Sequence, residues 1–246
     1  GAAVHCFEEV PFEAAYIPGI PAVEHSWSED LQVAEILDRV DHIINLPRLG
    51  KHVLAGASLG LKNAVGWISD HSRMVLHRDA ETFHRKIAEI NAIPQLKAKM
   101  RLTLTLVDHA LTTSGPDHGY HLQLDTPLII ASEDVVSHDQ VALLVLLWGR
   151  EQTPAAELAK DPYLTQGDTF NKAFVQQVWQ ETAQNLPVFE QIEAVTALTH
   201  INLAYDILHG GRPGEIHVTS TGLPLDERLI AVLTGYPDSG IRWTPG

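Results

Sequence analysis

The chain has one cysteine, two methionines and far fewer basic residues than acidic ones, 17 Lys and Arg against 31 Asp and Glu among 246 residues. A lone Cys6 excludes an internal disulfide, and it excludes an iron–sulfur cluster within this chain, which needs about four thiolates. A net charge of −14 and a pI near 5.3 make a surface that repels phosphate backbones, so neither nucleic acid nor an anionic membrane is an expected partner. The most apolar run, Val141 to Trp148, is too short to span a bilayer, and the N-terminal residues lack the basic flank and apolar core of a leader. A soluble protein is expected, either cytoplasmic or exported after removal of a leader.

What is present is an ordinary globular composition, 45% hydrophobic and 20% charged, with ample material for a core. Short β-branched runs alternate with longer amphipathic stretches, which predicts an α/β fold. The expected architecture is a mostly parallel sheet with helices on both faces. Expected strands are Ala3–Phe7, His42–Leu46, Leu102–Asp108, Leu128–Ala131 and Glu215–Thr219. Expected helices are Ser28–Val40, Asp79–Ala92, Val135–Trp148, Phe170–Thr182, Pro187–Leu208 and Asp226–Thr234, with a polar tail after the last. Residues 1–246 read as one domain, with a helical insertion or cap over 151–209.

One run concentrates chemistry. After the apolar strand around Ile43-Ile44 comes a glycine-rich stretch holding His52, Gly56, Ser58, Gly60, Lys62 and Asn63, with His77 beyond it. A strand, a glycine-rich turn and a helix can present reactive groups and bind anions. Glycines permit close ligand approach, and a buried lysine becomes a nucleophile as its pKa falls. Lys62, Gly56, Ser58, Gly60 and Asn63 are therefore expected to line a cofactor or ligand site, with His52 as proton shuttle. Histidine is abundant here, 14 in all, so His71 and His84 compete with His77 for any role.

Two further clusters follow. Asp108 ends a predicted strand, where open sheets place ligands, and is expected to join His52 and Lys62 in one cleft. Asp117, His118, His121 and Asp125 are raw material for a metal site, although a turn around Gly115-Pro116 explains them equally well. Ser132 and Asp134 precede a helix, and at least one of them reads as its cap. No G-x-S-x-G elbow and no phosphate-binding G-x-x-x-x-G-K-[ST] loop is present.

The order of motifs resembles a known family. Asp41-His42-Ile43-Ile44-Asn45-Leu46-Pro47, Lys51-His52, Gly60-Leu61-Lys62-Asn63-Ala64-Val65-Gly66, Arg73 and His77 are similar to the domain of unknown function 362 family. Ala131-Ser132-Glu133-Asp134, Asp139 and the late glycine-rich turn before Glu215-Ile216 continue the likeness. Members sometimes carry ferredoxin-like modules, which implies a redox protein as partner, and the front of the domain is expected to be shortened here. The spacing of His52, Lys62 and His77 also resembles the nickel-pincer nucleotide lactate racemase family. That likeness implies Lys62 as anchor of a nucleotide-type cofactor, His77 as nickel ligand and His52 as acid/base.

Three functions are compatible with these residues. The first is an enzyme moving a proton or hydride on a small anionic substrate. The second is a non-catalytic module binding an anion or cofactor beside electron-transfer proteins. The third is a metal-dependent hydrolase built on Asp108, Asp117, His118 and His121.

Overall fold

The computed structural model describes residues 3–15, 26–27, 31–78, 81–115, 118–161, 198–236 and 239–246. Its central element is a long strand, β6 (Met100–Leu111), around which the main sheet is arranged. β3 (Ile43–Asn45) and β4 (Gly50–His52) run parallel to β6 along one side, β3 at its start and β4 at its end through Gly50 and Leu111. β7 (His121–Ser132) runs antiparallel along the other side, and β5 (Gly56–Ser58) returns antiparallel to β4. Three of the five strands thus share one direction, and the expected α/β class with a mostly parallel sheet holds.

The β4–β5 hairpin is tied by its own sequence. Gly56 adopts φ +77°, a conformation that favours glycine, and closes a three-residue loop. Two amides inside that loop, Leu54 (3.1 Å) and Ala55 (3.2 Å), donate to Nδ1 of His52. The run expected to be one open turn is therefore a hairpin followed by α1 (Gly60–Asn63).

Helix α5 (Val135–Glu151) packs on β6 and β7 and is buried along nearly its whole length. Asp134 caps it, accepting from the amides of Val136 (3.4 Å) and Ser137 (2.9 Å), as the capping reading anticipated, and the Ser132 hydroxyl accepts from the Asp134 amide at 3.1 Å. β6 alternates with period two: Thr103, Thr105 and Val107 are buried on the α5 side, whereas Leu106 is 57% exposed on the other. Ile129, opposite Leu106 in register, and Ile44 share that exposed apolar face. Among the described residues, the helices packed on this sheet lie on the threonine side.

Ahead of α5 come α2 (Asp70–Arg78), α3 (Phe83–Ile90) and α4 (Pro94–Lys99). After it come α6 (Ala155–Leu158), α7 (Thr199–His209) and α8 (Glu227–Gly235). α3 and α7 pack against each other. β8 (Ile216–Ser220), α8 and β9 (Ile241–Pro245) form a parallel β–α–β unit whose helix rests on α5. β9 occupies what the polar composition suggested was a tail.

Two expected elements differ. Ala3–Phe7 forms no strand; a short 3-10 turn, Phe7–Glu9, begins there. Within Ser28–Val40 the helical spacing does not give an α-helix: β2 (Gln32–Ala34) pairs with β1 (Phe12–Ala14), and a 3-10 segment, Glu35–Arg39, follows. Leu31, Val33, Ala34, Ile36 and Leu37 are all buried, so tertiary pairing satisfied the same apolar residues by another route. The expected helix Phe170–Thr182, and the middle of the expected cap over 151–209, lie outside the described residues.

Candidate functional site

Lys62 stands on a short helix whose backbone is held from several sides. Asp139, buried on α5, accepts from the amides of Gly60 (2.8 Å) and Leu61 (2.7 Å). Asn45 on β3 donates to the Gly60 carbonyl at 3.0 Å, and Asn63 donates to the Asn45 side chain at 2.6 Å. From α3, Asn91 donates to the Leu61 carbonyl at 3.0 Å. Behind Asp139, Nδ1 of His138 donates to Oδ1 at 2.9 Å, which leaves Nε2 of that ring to accept from the Thr105 hydroxyl at 3.0 Å. The amides expected to cradle an anion are therefore occupied by an internal carboxylate. Gly60 serves close packing, since a Cβ there would lie 2.7 Å from Asp139 Oδ1.

Around Lys62 the structure gathers four imidazoles. His52 ends β4, His77 lies on α2, His84 on α3 and His200 on α7. Burial depresses the His52 pKa well below the ordinary histidine range, and the charges of Lys62, His77, His200 and His84 lower it further. His200 is depressed in the same way by burial, then by His84 and Lys62. Burial also lowers His77, with the Arg73 carbonyl opposing and Lys62 adding to the fall. Burial pushes the Lys62 amine down to about 8, although part of the side chain remains in contact with solvent. Among the described residues no carboxylate contributes to any of these shifts.

Hydrogen bonding assigns the protons. Nδ1 of His52 accepts two amides and cannot carry hydrogen, so the neutral ring bears its proton on Nε2. In this geometry His52 is a hydrogen-bond donor; a base at Nδ1 would have to break the hairpin loop. His77 is the reverse, because Nδ1 lies 2.7 Å from the Arg73 carbonyl, which can only accept. The basic nitrogen of His77 is therefore Nε2. The rings form a contiguous series, with His77 tilted on Phe83, Phe83 edge-on to His84, and His84 parallel to His200 at 6.1 Å between centroids. Neither ring nitrogen of fully buried His200 has a hydrogen-bond partner among the described residues.

Other expected site residues lie elsewhere. Asp108 is exposed on the opposite side of the sheet, where hydrogen bonding with His109 and the charge of that ring lower its pKa. With Ser58 and His109 it lines a groove of about 440 Å³ over the exposed apolar face, and the structure does not bring it to His52 or Lys62. Asn63 is exposed and spends its amide on Asn45, and Gly56 belongs to the hairpin. His71, His118 and His121 are exposed, and Asp117 lies outside the described residues.

His84 and His200 are the residues that sequence reasoning undervalued. Nothing in the spacing of either marks it, because only packing of α3 on α7 brings them together. Asp139 carried a signal only as part of the family resemblance.

The donor set of the described residues does not fit nickel or another metal. Among the described residues no group of three or more His, Cys, Asp or Glu side chains could hold a metal ion. The occupied amides at Gly60 and Leu61 likewise leave that helix start closed to a cofactor phosphate.

The profile of the family described as "Domain of unknown function (DUF362)" matches residues 4–143, more than half of the chain. The chain belongs to the DUF362 family. The matched segment contains His52, Lys62, His77, His84 and Asp139, whereas His200 of this DUF362 chain lies beyond it. No match is found among curated proteins or among solved structures, so the likeness to lactate racemases has no support from either. No helix among the described residues is long and apolar enough to cross a membrane.

Proposed function

We propose that this DUF362 protein binds a small carboxylate-bearing molecule at the cluster of His52, Lys62, His77, His84 and His200, and moves a proton there. The observation that carries this reading is the gathering of five basic side chains in a buried setting, where burial and neighbouring positive charge lower the pKa values of His52, His77 and His200. Such groups depress one another's protonation, and an arriving anion relieves that repulsion. His52 offers an Nε2–H donor and His77 a basic Nε2, the two complementary functions that proton transfer needs. The metal-dependent hydrolase reading has no comparable support, since among the described residues its exposed histidines belong to no metal-holding group.

The test is calorimetric titration of the protein with a panel of small carboxylates at pH 8 in two buffers of different ionisation heat. Because Lys62 titrates near 8, an anion beside it should raise its pKa and draw protons from buffer. Binding with proton uptake that disappears in Lys62→Met supports the reading. Equal binding by wild type and Lys62→Met sinks it.

A further inference from the structure

Within the cluster, Lys62 is the one side chain able to form a reversible double bond to carbon, the chemistry by which lysines condense with carbonyl substrates. The backbone of Gly60 and Leu61, immediately before it, is fixed by Asp139, Asn45 and Asn91, so the amine is presented from a rigid base. No carboxylate neutralises it among the described residues, and burial holds it near the pH at which half of it is the free amine. Lys51 is the informative contrast. Its pKa is also lowered to about 8, yet Nζ lies 3.1 Å from buried Asp161 and the residue is 1% exposed. Among the described residues, Lys62 combines a free-amine tendency with partial access and neighbouring proton carriers.

We propose that Lys62 condenses with the carbonyl carbon of a small 2-oxo acid to form an imine at Nζ, with the carboxylate held by the surrounding imidazoles. This rests on the cluster being the anion site proposed above. A carboxylate suits the site better than a phosphate, because the backbone amides that would cradle phosphate are committed to Asp139.

The step balances within the cluster. The Nζ lone pair forms the C–N bond as the carbonyl π pair moves to oxygen, which the His52 Nε2–H supports by a hydrogen bond without giving up its proton. Nε2 of His77 accepts a proton from the nitrogen and delivers it to that oxygen, giving the neutral carbinolamine. The C–O bond then breaks as the nitrogen lone pair closes the C=N bond, the second nitrogen proton passes by the same Nε2 to the departing hydroxyl, and water leaves. One amine and one carbonyl give one imine and one water.

The experiment treats the full chain at pH 8 with pyruvate or glyoxylate and sodium cyanoborohydride, followed by intact mass and peptide mapping. Propanoate and lactate, which lack the carbonyl, serve as competitors, and Lys62→Met and Lys62→Arg as variants checked by circular dichroism. The expected product is a single adduct on the peptide containing Lys62, with the mass of the oxo acid less one oxygen atom. It should form on the order of tenfold or more faster than on exposed lysines, given the larger free-amine fraction. Propanoate should slow it, Lys51 should stay unlabelled, and folded Lys62→Arg should bind pyruvate without being trapped. Labelling spread evenly over the lysines overturns the imine. So does an unlabelled Lys62 when calorimetry detects pyruvate binding, and that result leaves the anion site standing. Absence of binding by every carboxylate overturns both.

Discussion

Asp139 lies 2.8 Å from the amide of Gly60, close enough that the glycine's missing Cβ is what admits the carboxylate. A strand, a glycine-rich segment and a helix start usually signal an external anion. Here the anion is internal and reaches across from α5, turning a ligand-binding motif into a fastening for Lys62. The glycines of this motif therefore speak about the position of a lysine and say little about phosphate.

That relationship predicts a strong response to small changes. Gly60→Ala would set a Cβ 2.7 Å from Asp139 Oδ1 and 3.0 Å from both Thr103 Cγ2 and Val135 Cγ2. Overpacking of this kind costs about 1–3 kcal/mol. Asp139→Ala strips the acceptor from two buried amides and from His138, and should cost about 3 kcal/mol or more. Urea denaturation of both variants measures this; a loss below about 0.5 kcal/mol in Asp139→Ala would show that the fastening is unimportant.

A second buried network joins α5 to the β4 strand. Asp161 Oδ2 is 3.1 Å from Lys51 Nζ and 3.0 Å from Arg150 Nη1, all three side chains being almost wholly buried. Asp161→Asn leaves two cations without the carboxylate they share, and should destabilise by about 3–5 kcal/mol. Adding Lys51→Met removes one of those cations and should restore part of the loss. A double variant as unstable as the single one would mean that Lys51 and Asp161 are not coupled.

Much of the framework was legible before the structure. Val135–Trp148 is too apolar for anything but a buried helix, and Asp134 announces its start. The core of β6 was equally plain, but β7 extends to His121 through Gln123 and Asp125, polar because that part of the strand faces solvent. The β4–β5 hairpin was hidden because Gly50, Gly56 and Ser58 have turn composition, and the stabilising contact is a histidine accepting amides. Asp108 misled because its strand continues to Leu111, which leaves it on an exposed face instead of at a strand end. His52 and Lys62 could be singled out from one local run, whereas His84 and His200 could not, since they meet only when two distant helices pack.

Glu89 gives a pH dependence with a definite sign. Its side chain is buried on α3, and burial pushes its pKa from 4.5 up to about 7, against Arg85, whose guanidinium is 3.9 Å away. The folded state therefore holds a proton that the unfolded chain releases between about 4.5 and 7, and stability falls as pH rises through that window. Glu89→Gln removes the charge. It should raise the melting temperature at pH 8, by an amount equivalent to about 1–2 kcal/mol, and leave it nearly unchanged at pH 5. A variant that is less stable than wild type at pH 8 would mean that the ionised carboxylate is well paired.

Lys62 carries the same logic in the opposite charge. Its pKa is lowered from 10.5 to about 8, so at neutral pH the fold keeps a proton on a partly desolvated amine that nothing among the described residues neutralises. The unfolded chain binds that proton more readily between about 8 and 10.5, so this contribution improves as pH rises through the window and is constant, at its least favourable, below it. Lys62→Met should therefore stabilise the protein at pH 7 by about 1–2 kcal/mol, discounted for the residual solvent contact of the side chain. The gain should shrink as pH rises from 8 towards 10.5. The same substitution should abolish carboxylate binding and imine trapping, because the charge that strains the fold is the one that attracts the ligand. Parallel thermal melts and calorimetric titrations check both halves. A Lys62→Met protein that loses stability at pH 7 would show that the amine is satisfied in the fold, and the case for its reactivity would fall with it.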